Sequence, residues 1–418
     1  TNTAPEISLA NPNLSYTEND PPLIIGATLT VSDADSINLA GATVSFRSGF
    51  AVGEDVLSFT AVAGITGMYD AATGVLSFSG SASIADYRTV LRSVAYSNSS
   101  ENPSAVQRQL KFAVDDGVSS SSDARKINVS ATNDAPTANA GGVYSVNEGA
   151  SISLDGTASN DVDGTITLYE WDLDYDGVTF NGTTTGATPT FNAATIDGPT
   201  NRNVALRVTD NQSVVSAVVT STISINNVAP TANTDTGALF TTSEDSAFTT
   251  DNVLTNDTDP NPIDVLSVTN LDVTGTVGQV TDNGDGTFDY DPNGQFESLR
   301  QGQQTTDTFS YTVSDDDGGS DTAVVTVTIN GANDAPTDVS LDNATVTEKV
   351  AGAIVGNLAT VDPDSGDTHG YTVNDSRFEV VSNQLKLKAG QFLNFDVEPT
   401  VNLTITATDQ GGGGLAFN

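Results

Sequence analysis

The sequence predicts an all-β protein made of four β-sandwich domains in a tandem array. Apolar and polar residues alternate along short segments such as Leu110–Val114 and Phe309–Val313, which is the period of a strand with one buried face. Asn-Gly and Asp-Gly pairs, among them Asn283-Gly284, lie between such segments and favour tight turns. The dipeptide Ala-Pro occurs at four places spaced by about 100 residues, the usual size of one sandwich domain.

The same alternation predicts strands elsewhere in the chain, at Leu29–Val31, Val204–Val208, Val324–Ile329 and Val401–Ala407. One helix is expected at Ile84–Leu91, because Ser83 can cap its first turn, which contains Asp86. Tyr87 and Leu91 would share its apolar face. The rest of the chain is expected to be β-strands and turns.

The four Ala-Pro dipeptides mark the predicted domain boundaries. They contain Pro5, Pro136, Pro230 and Pro336 and divide the chain into residues 1–134, 135–228, 229–334 and 335–418. Each Pro pushes the residue before it toward an extended conformation, and no Gly/Ser-rich linker separates the units. We therefore expect short, stiff joints. The chain begins at Thr1 without Met or a signal peptide, so we expect a piece of a larger protein.

The charge balance favours metal ions over other partners. Asp and Glu number 54 against 14 Lys and Arg, a formal net charge of −40, which repels nucleic acid and anionic lipid. Carboxylates are hard oxygen ligands, which Ca²⁺ prefers more than Zn²⁺ does. The chain has no Cys and a single histidine, His369, which excludes Cys nucleophiles, disulfides and paired-His zinc sites. His369 is expected at the surface. No apolar stretch approaches the roughly 20 residues of a membrane span.

Four acidic elements recur at comparable places in the predicted domains. They are a Glu near the end of the first strand, a paired-acid loop, an acid after the penultimate strand, and an Asn-Asp linker. The residues are Glu18, Glu148, Glu244 and Glu348; Asp33, Asp35, Asp161, Asp163, Asp257, Asp259, Asp362 and Asp364; Asp115, Asp210, Asp315 and Asp409; and Asn133, Asp134, Asn333 and Asp334. One such acid is an ordinary turn residue. Carboxylates that recur where two sandwiches meet need a cation, and Ca²⁺ accepts roughly 6–8 such oxygens.

Residues 337–411 resemble a cadherin repeat, in an immunoglobulin-like sandwich. The matching pieces are Thr347-Glu348, Asp362–Asp367, Phe395–Glu398 and Ile405–Asp409. The resemblance implies Ca²⁺ ligands before this unit at Glu244, Asn333, Asp334, Asp362, Asp364 and Asp409, and others facing a further unit at Glu348, Asp396 and Glu398. The linker lacks the full cadherin Asp-x-Asn-Asp-Asn, which implies fewer ions. The chain ends soon after Gly411–Gly414, so the last strand of the repeat is expected to be missing.

Two further stretches resemble bacterial cadherin-like repeats of very large surface proteins, and residues 229–334 resemble the VCBS and tandem-95 type of these repeats. In residues 229–334 the resemblance lies in Asn256–Pro260 and Asp307–Asp315, and in residues 1–134 it lies in Gly53–Leu57 and Leu91–Asn98. Both stretches carry the recurring acids described above. The resemblance therefore implies an extracellular setting for these two units.

Residues 135–228 are similar to a polycystic-kidney-disease (PKD) domain through Gly164–Asp172 and Val208–Asp210. The segment Asp172-Leu-Asp174-Tyr-Asp176-Gly matches the first half of an EF-hand loop, whose twelfth position here is Thr183 instead of Glu. Two interpretations stay open: a partial metal site at Asp172, Asp174 and Asp176, or a tight acidic turn after a core Trp171.

The linker Asn226–Pro230 contains no Asp. We therefore expect weaker or absent Ca²⁺ at this joint, and the most bendable of the joints. This prediction separates the second linker from the two Asn-Asp linkers.

The leading functional interpretation is a Ca²⁺-rigidified extender segment of a large secreted bacterial surface adhesin of the RTX type. Its partners would be neighbouring domains, cell-surface or polysaccharide ligands, or other copies. A polysaccharide-binding accessory module is one alternative, although aromatic residues make up only 6% of the chain. A filament or surface-layer subunit that accepts a strand at its open edge is another. An enzyme is disfavoured, because the acids recur in repeats and neither Gly-x-Ser-x-Gly nor a P-loop is present.

Overall fold

The computed structural model describes residues 1–10, 12–410 and 414–418. Of the chain, 44% is strand and 4% helix, which confirms the all-β prediction with several β-sandwich domains. The described residues form two compact units. The first contains Thr1–Tyr144, Ser153–Phe191 and Arg202–Ile223; the second contains Ser145–Ile152, Asn192–Asn201 and Ser224–Asn418. Residues 411–413, in the glycine stretch near the expected missing strand, lie outside the described residues.

Residues 1–134 of the first unit hold eleven strands and one helix. The strands are β1 (Glu6–Leu9), β2 (Asn13–Thr17), β3 (Leu23–Ile24), β4 (Leu29–Ser32), β5 (Asn38–Ser48), β6 (Asp55–Ser58), β7 (Thr66–Asp70), β8 (Val75–Ser83), β9 (Ala95–Asn98), β10 (Arg108–Asp115) and β11 (Ser120–Ser130). One sheet has the order β2-β11-β10-β5-β8-β7, and a smaller one the order β3-β9-β6. β2 runs parallel to β11, so Glu18, just after β2, is carried to the end of β11 where the linker begins.

The predicted helix is confirmed as α1 (Ile84–Arg92). The Ser83 hydroxyl accepts a hydrogen bond from the Asp86 backbone N–H at 3.1 Å, as the capping pattern predicts. Tyr87 and Leu91 are fully buried in the core.

A polar network is buried in the same core. The Arg108 guanidinium pairs with Asp55 at 3.1 Å, and both side chains are wholly inaccessible to solvent. Asp55 also accepts hydrogen bonds from the Tyr96 hydroxyl at 2.6 Å and from the Asn98 amide at 2.7 Å. The network joins β6, β9 and β10, three strands that are far apart in the chain.

Residues 135–228 contain seven strands. They are β12 (Tyr144–Asn147), β13 (Ser151–Ser153), β14 (Ile166–Asp172), β15 (Thr184–Thr185), β16 (Thr190–Asn192), β17 (Thr200–Asp210) and β18 (Val219–Asn226). β14 pairs antiparallel with both β15 and β17. Trp171 on β14 is fully buried and donates its indole N–H to the Gly186 carbonyl at 3.0 Å. The predicted core tryptophan is therefore confirmed.

The second unit contains fourteen further strands and two short 3₁₀ helices, Ala238–Phe240 and Val253–Thr255, which the sequence did not predict. The strands in residues 229–334 are β19 (Thr241–Ser243), β20 (Phe248–Thr249), β21 (Ser267–Asp272), β22 (Gln279–Asp282), β23 (Phe288–Asp291), β24 (Gln304–Ser314) and β25 (Ser320–Asn330). They form sheets of order β19-β25-β24-β21 and β20-β23-β22. The Asn283-Gly284 turn joins β22 to β23, as predicted.

Residues 335–418 form two sheets around a smaller core. The strands are β26 (Asp338–Leu341), β27 (Ile354–Val361), β28 (His369–Val373), β29 (Phe378–Val381), β30 (Gln384–Leu387), β31 (Ile405–Asp409) and β32 (Ala416–Phe417). Their orders are β26-β27-β30-β29 and β28-β31-β32. The strand predicted at Val401–Ala407 begins only at Ile405. The last strand was expected to be missing; a two-residue strand, β32, does pair antiparallel with β31.

Candidate metal centres

Three linkers bring the recurring acids together, and each is named here by its residues. The first joint surrounds residues 131–136, the second 226–230 and the third 331–336. At each joint a backbone N–H of the linker donates to the Glu that follows an early strand of the preceding domain, which is β2, β12 or β19. The pairs are Thr132 to Glu18 (2.8 Å), Val228 to Glu148, and Ala332 to Glu244 (2.7 Å). These three Glu side chains are nearly inaccessible to solvent, at 5%, 1% and 1% exposure.

The linker Asn makes a second recurring contact, donating its side-chain amide to the acid that ends the penultimate strand of the following domain. The pairs are Asn133 to Asp210 (2.7 Å), Asn227 to Asp315 (3.1 Å) and Asn333 to Asp409. At the start of the chain Asn2 donates in the same way to Asp116 at 3.0 Å, the neighbour of the predicted Asp115. The hydrogen bond from Asn133 lowers the pKa of Asp210. The acids after the penultimate strands are therefore tied directly to the linkers.

The paired-acid loops meet the linkers through their second acid. The Asp134 N–H donates to Asp163 at 3.2 Å, and the Asp334 N–H donates to Asp364 at 2.8 Å. The first acid of each pair, Asp161 or Asp362, accepts from the backbone N–H of the second. In the first domain, Thr3 N–H donates to Asp35, and Asp35 N–H donates to Asp33, in the same arrangement.

Each joint also contains a carboxylate from the loop before the penultimate strand, which the sequence analysis did not select at these joints. Glu101, Asp197 and Glu297 each belong to a group of three carboxylates whose oxygens lie within 4.8 Å of one another. The groups are Glu18, Glu101 and Asp134; Glu148, Asp197 and Asp264; and Asp245, Glu297 and Asp334. Glu101 and Glu297 stand at the same spacing before β10 and β24 as Glu398 does before β31. That spacing is a signal that would have found them.

The first joint presents buried oxygens with no hydrogen-bond partner among the described residues. They are Glu18 Oε1, Asn133 Oδ1, Asp134 Oδ2, Asp161 Oδ2 and Asp163 Oδ1. Burying a carboxylate oxygen without a partner is costly, and more so beside other carboxylates. These oxygens thus belong to the preceding domain, to the linker and to the paired-acid loop of the following domain.

The third joint is the most acidic of the three. Glu244, Asp334 and Asp364 form a second group within 4.8 Å, which shares Asp334 with the group of Asp245 and Glu297. Burial raises the pKa of Glu244 to about 7, with a smaller contribution from the charge of Asp334. Burial also raises the pKa of Asp334 to about 6, followed by the charges of Glu297 and Asp245. Both carboxyl groups therefore hold a proton more readily than an exposed acid does, chiefly because burial disfavours the charged form.

His369 lies next to this site, in contrast to the predicted surface position. Its side chain is only 11% exposed and its Nε2 lies 2.7 Å from Asp362 Oδ2. One Asp362 oxygen therefore contacts the His369 ring, and the other accepts a hydrogen bond from the Asp364 N–H. Arg300 contributes a nearby positive charge, 3.6 Å from Asp367.

The residues at the first and third joints fit a hard divalent cation. The donors are carboxylate and amide oxygens, several of them buried and unpartnered, which is the ligand chemistry of Ca²⁺. Zn²⁺ would prefer nitrogen and sulfur donors. The sequence-predicted Glu18, Asn133, Asp134, Asp161, Asp163, Glu244, Asn333, Asp334 and Asp364 all lie at these two joints.

The second joint is built differently. Glu148 and Asp264 approach each other together with the exposed Asp197, although the linker itself has no acid. Three buried oxygens there find no hydrogen-bond partner within the described ranges: Asp264 Oδ2, Asp259 Oδ2 and Asn227 Oδ1. Burial raises the pKa of Asp264 to about 7, followed by the charge of Glu148.

Other predicted ligands lie apart from these groups. Glu348 and Asp396 pair with Lys349, each at 3.3 Å, and Glu398 pairs with Arg377 at 2.7 Å. These acids have a cationic side chain of the same domain as partner.

The EF-hand-like segment of the PKD-like region serves as a turn. Asp172 accepts the Asn181 N–H at 2.8 Å, and Asp176 accepts the N–H groups of Val178 and Thr179. Asp174 pairs with Arg202 at 3.2 Å on the surface. Among the described residues these three acids form none of the converging groups, which favours the tight-turn interpretation.

Asp257 lies within its own domain instead of at a joint. Its side chain accepts the Tyr311 hydroxyl at 2.9 Å and the Asn233 N–H at 2.7 Å. Asp235, which is 4% exposed, lies beside them, and its Oδ2 is buried without a partner.

Replacing Asp235 with asparagine is expected to weaken the pH dependence of the second unit. Burial raises the pKa of Asp235 to about 6, and the charge of Asp257 adds to this. In an unfolded chain the pKa of an Asp is about 3.9. Because the folded pKa is higher, the group stabilises the fold fully below about pH 4 and loses this contribution as the pH rises through about 6. In a chelating buffer, the melting temperature of D235N minus that of the wild type should rise from pH 4 to pH 8.

The matched control is D251N, an exposed acid of the same domain, whose difference from the wild type should stay constant over that range. A D235N difference that is equally flat would contradict the role of Asp235.

No helix among the described residues is long and apolar enough to cross a membrane. Comparison with known families assigns two parts of the chain. Residues 227–331 match the bacterial cadherin-like domain, and residues 133–225 match the PKD domain. The predicted tandem arrangement of cadherin-like and PKD-like repeats is thereby confirmed. The limits of the four domains stay predictions.

Individual relatives are more distant. The chain is 34% identical over 121 residues to halomucin of Haloquadratum walsbyi, covering 28% of this chain and 1% of that protein. Protocadherin gamma B7 extracellular cadherin domains 1–4 are 16% identical, with 97% of this chain and 98% of that chain covered at a TM-score of 0.41. Drosophila N-cadherin EC1-4 is 13% identical, with 97% and 96% covered at a TM-score of 0.36.

Proposed function

We propose that this chain is a Ca²⁺-stiffened extracellular segment of a large bacterial surface adhesin of the RTX type, with a structural or adhesive role. The observation that carries the proposal is a buried Glu at the first and third joints that keeps one oxygen without a hydrogen-bond partner among the described residues and lies in a group of three converging carboxylates. At the third joint one member of that group, Asp364, belongs to the following domain. Cadherin-like and PKD domains are typically non-catalytic structural modules, which agrees with this role.

The ligands divide into three candidate groups. Glu18, Glu101 and Asp134 would hold one ion at the first joint. Glu244, Asp334 and Asp364 would hold one at the third, and Asp245, Glu297 and Asp334 a second one there. When bound, Ca²⁺ supplies positive charge and a shared coordination shell for carboxylates of adjacent domains. Backbone N–H groups of the linkers already hold Glu18, Glu244 and Asp364. The protein thus orients these carboxylates, and the ion would neutralise their charge.

Stiffening follows from which residues share an ion. Glu244 belongs to residues 229–334 and Asp364 to residues 335–418, so an ion between them ties two domains together. Without the ion, the same carboxylates repel one another across the linker. These sites do not draw all their ligands from one continuous loop, as an EF-hand does. External Ca²⁺ at millimolar levels would fill sites with Kd on the order of 10⁻⁴–10⁻³ M, as in extracellular modules.

Replacing Glu244 with glutamine is expected to lower the Ca²⁺ affinity of the third joint by about 10–100-fold or more. Gln keeps an acceptor for the Ala332 N–H and removes the charge, so the Ca²⁺-free protein should be as stable as the wild type or more stable. The substitution should thus weaken Ca²⁺ binding without destabilising the Ca²⁺-free protein. A general folding defect would lower both the affinity and the stability. Calorimetric Ca²⁺ titration and melting of the full chain measure both.

E379Q is the matched control, since Glu379 lies on β29 and in none of the candidate groups. Its titration should match the wild type. An E244Q titration that also matches the wild type would show that Glu244 is not a ligand.

A further inference from the structure

The second joint differs from the other two in how its buried Glu is satisfied. In the part of the chain that the structure describes, Glu18 Oε1 and Glu244 Oε2 have no hydrogen-bond partner, but both oxygens of Glu148 accept hydrogen bonds. Oε1 accepts the Val228 N–H. Oε2 accepts the Gly198 N–H at 2.9 Å and the side-chain amide of Asn261 at 3.4 Å. The oxygen that faces a cation site elsewhere therefore faces protein donors here.

Asn261 is fixed in the orientation this requires. It is 1% exposed, and its Nδ2 also donates to Asp264 Oδ1 at 2.9 Å. Its Oδ1 accepts the Ile263 N–H at 3.3 Å. Turning the amide over would place an oxygen against two carboxylates and an N–H₂ group against a donor. One neutral side chain thus bridges acids from both sides of the joint.

Close backbone packing accompanies these bonds. A Cβ at Gly149 would lie 2.6 Å from the Pro260 carbonyl oxygen, and a Cβ at Gly198 would lie 2.6 Å from the Asn227 nitrogen. Both contacts are to backbone atoms, which cannot move aside as a flexible side chain can. Glycine at position 149 lets the chain approach Pro260, the neighbour of Asn261, and glycine at position 198 lets it approach the linker backbone at Asn227.

We infer that the second joint is locked by Asn261 and the backbone N–H groups around Glu148, and that it keeps its stiffness when Ca²⁺ is removed. This inference rests on the proposed function for the first and third joints, which loosen without Ca²⁺. As predicted from the sequence, Ca²⁺ matters least at this linker. The predicted flexibility is replaced by its opposite: the second joint is stiff, not bendable. The segment would then respond to Ca²⁺ at alternate joints.

Distance measurements by pulsed electron paramagnetic resonance test the inference on the full chain, because the sequence contains no cysteine. Spin labels go on exposed strand positions in pairs that span one joint each: Met68 and Leu168, Leu168 and Val324, and Val324 and Val381. On chelation with EGTA, the distance distributions across the first and third joints should broaden at least twofold. The distribution across the second joint should keep its width.

Two substitutions of Asn261 test the role of this side chain directly. N261A should broaden the second-joint distribution with or without Ca²⁺. N261D replaces the amide donor with a carboxylate, so it should broaden that distribution in EGTA and narrow it again when Ca²⁺ is added. N270A, at an exposed position on β21, is the matched control and should change nothing.

Equal broadening of all three joints in EGTA, or wild-type widths in both Asn261 variants, would overturn the inference. If no joint responds to EGTA but N261A still broadens the second, the proposed Ca²⁺ function fails and the lock stands. Melting curves of the variants identify a folding defect. If N261A unfolds the domain, the width of the second-joint distance distribution in N261D, with and without Ca²⁺, still tests the inference.

Discussion

Replacing Asp55 with alanine is expected to destabilise residues 1–134 by about 3–5 kcal/mol. The change leaves Arg108 as an uncompensated charge that is wholly inaccessible to solvent. It also removes the acceptor of the Tyr96 hydroxyl and of the Asn98 amide. Removing one member of a buried ion pair costs far more than the pair itself contributes, because the remaining charge cannot reach water.

Hydrogen exchange on the full chain measures this without assuming that a multidomain protein unfolds in one step. Amides of β10 and β11 should exchange about 10²–10³·⁵ times faster in D55A, at 1.4 kcal/mol per tenfold. E6A, an exposed acid on β1, should shift exchange within about 0.5 kcal/mol. In a D55A/R108M double variant, part of the loss should be recovered, since no buried charge remains. Equal exchange in D55A and E6A would contradict the role of this network.

Removing Ca²⁺ is expected to loosen the first and third joints and to lower the melting temperature. Binding to the folded state alone adds RT ln(1 + [Ca²⁺]/Kd), which is about 0.4–1.4 kcal/mol per site when millimolar free Ca²⁺ is roughly 1–10 times Kd. The loss should be largest at the third joint, where two groups share Asp334. The raised pKa values of Glu244 and Asp334 further predict weaker Ca²⁺ binding as the pH falls toward 6, because protons then compete for the same oxygens.

The control for this prediction is Mg²⁺ in place of Ca²⁺. Mg²⁺ demands near-ideal octahedral geometry and releases its water reluctantly, so it should restore less of the stability. Full restoration by an equal concentration of NaCl would show that general screening, and not a bound divalent ion, is responsible.

Features set by local sequence could be predicted. Ser83 and Asp86 define the start of α1, and the Asn283-Gly284 turn joins β22 to β23, because caps and turns depend on neighbouring residues. The linker acids were found for a related reason: they recur at fixed places relative to strand ends. The strand Glu, the linker Asn and the second acid of each paired loop therefore emerged from the repeat pattern at the first and third joints.

Features set by packing could not be predicted in the same way. Asp55 and Arg108 are 53 residues apart, and nothing near either one shows that both are buried. Asp257 occupies the same place in the repeat as Asp161 and Asp362. Its side chain, however, accepts a hydrogen bond from the Tyr311 hydroxyl inside its own domain. Glu101 and Glu297 lie in loops without regular structure, so only comparing spacing before the penultimate strands would have revealed them. Asn261 has no signature at all, because its role depends on where Glu148 lies.

Small-angle X-ray scattering of the full chain, with millimolar Ca²⁺ and then with excess EGTA, tests the central claim most directly. We expect EGTA to change the radius of gyration and to broaden the distribution of interatomic distances, and added Ca²⁺ to restore both. In Ca²⁺, E244Q should scatter more like the chelated wild type than E379Q does. Identical scattering curves with and without Ca²⁺ would contradict the claim that Ca²⁺ stiffens this segment.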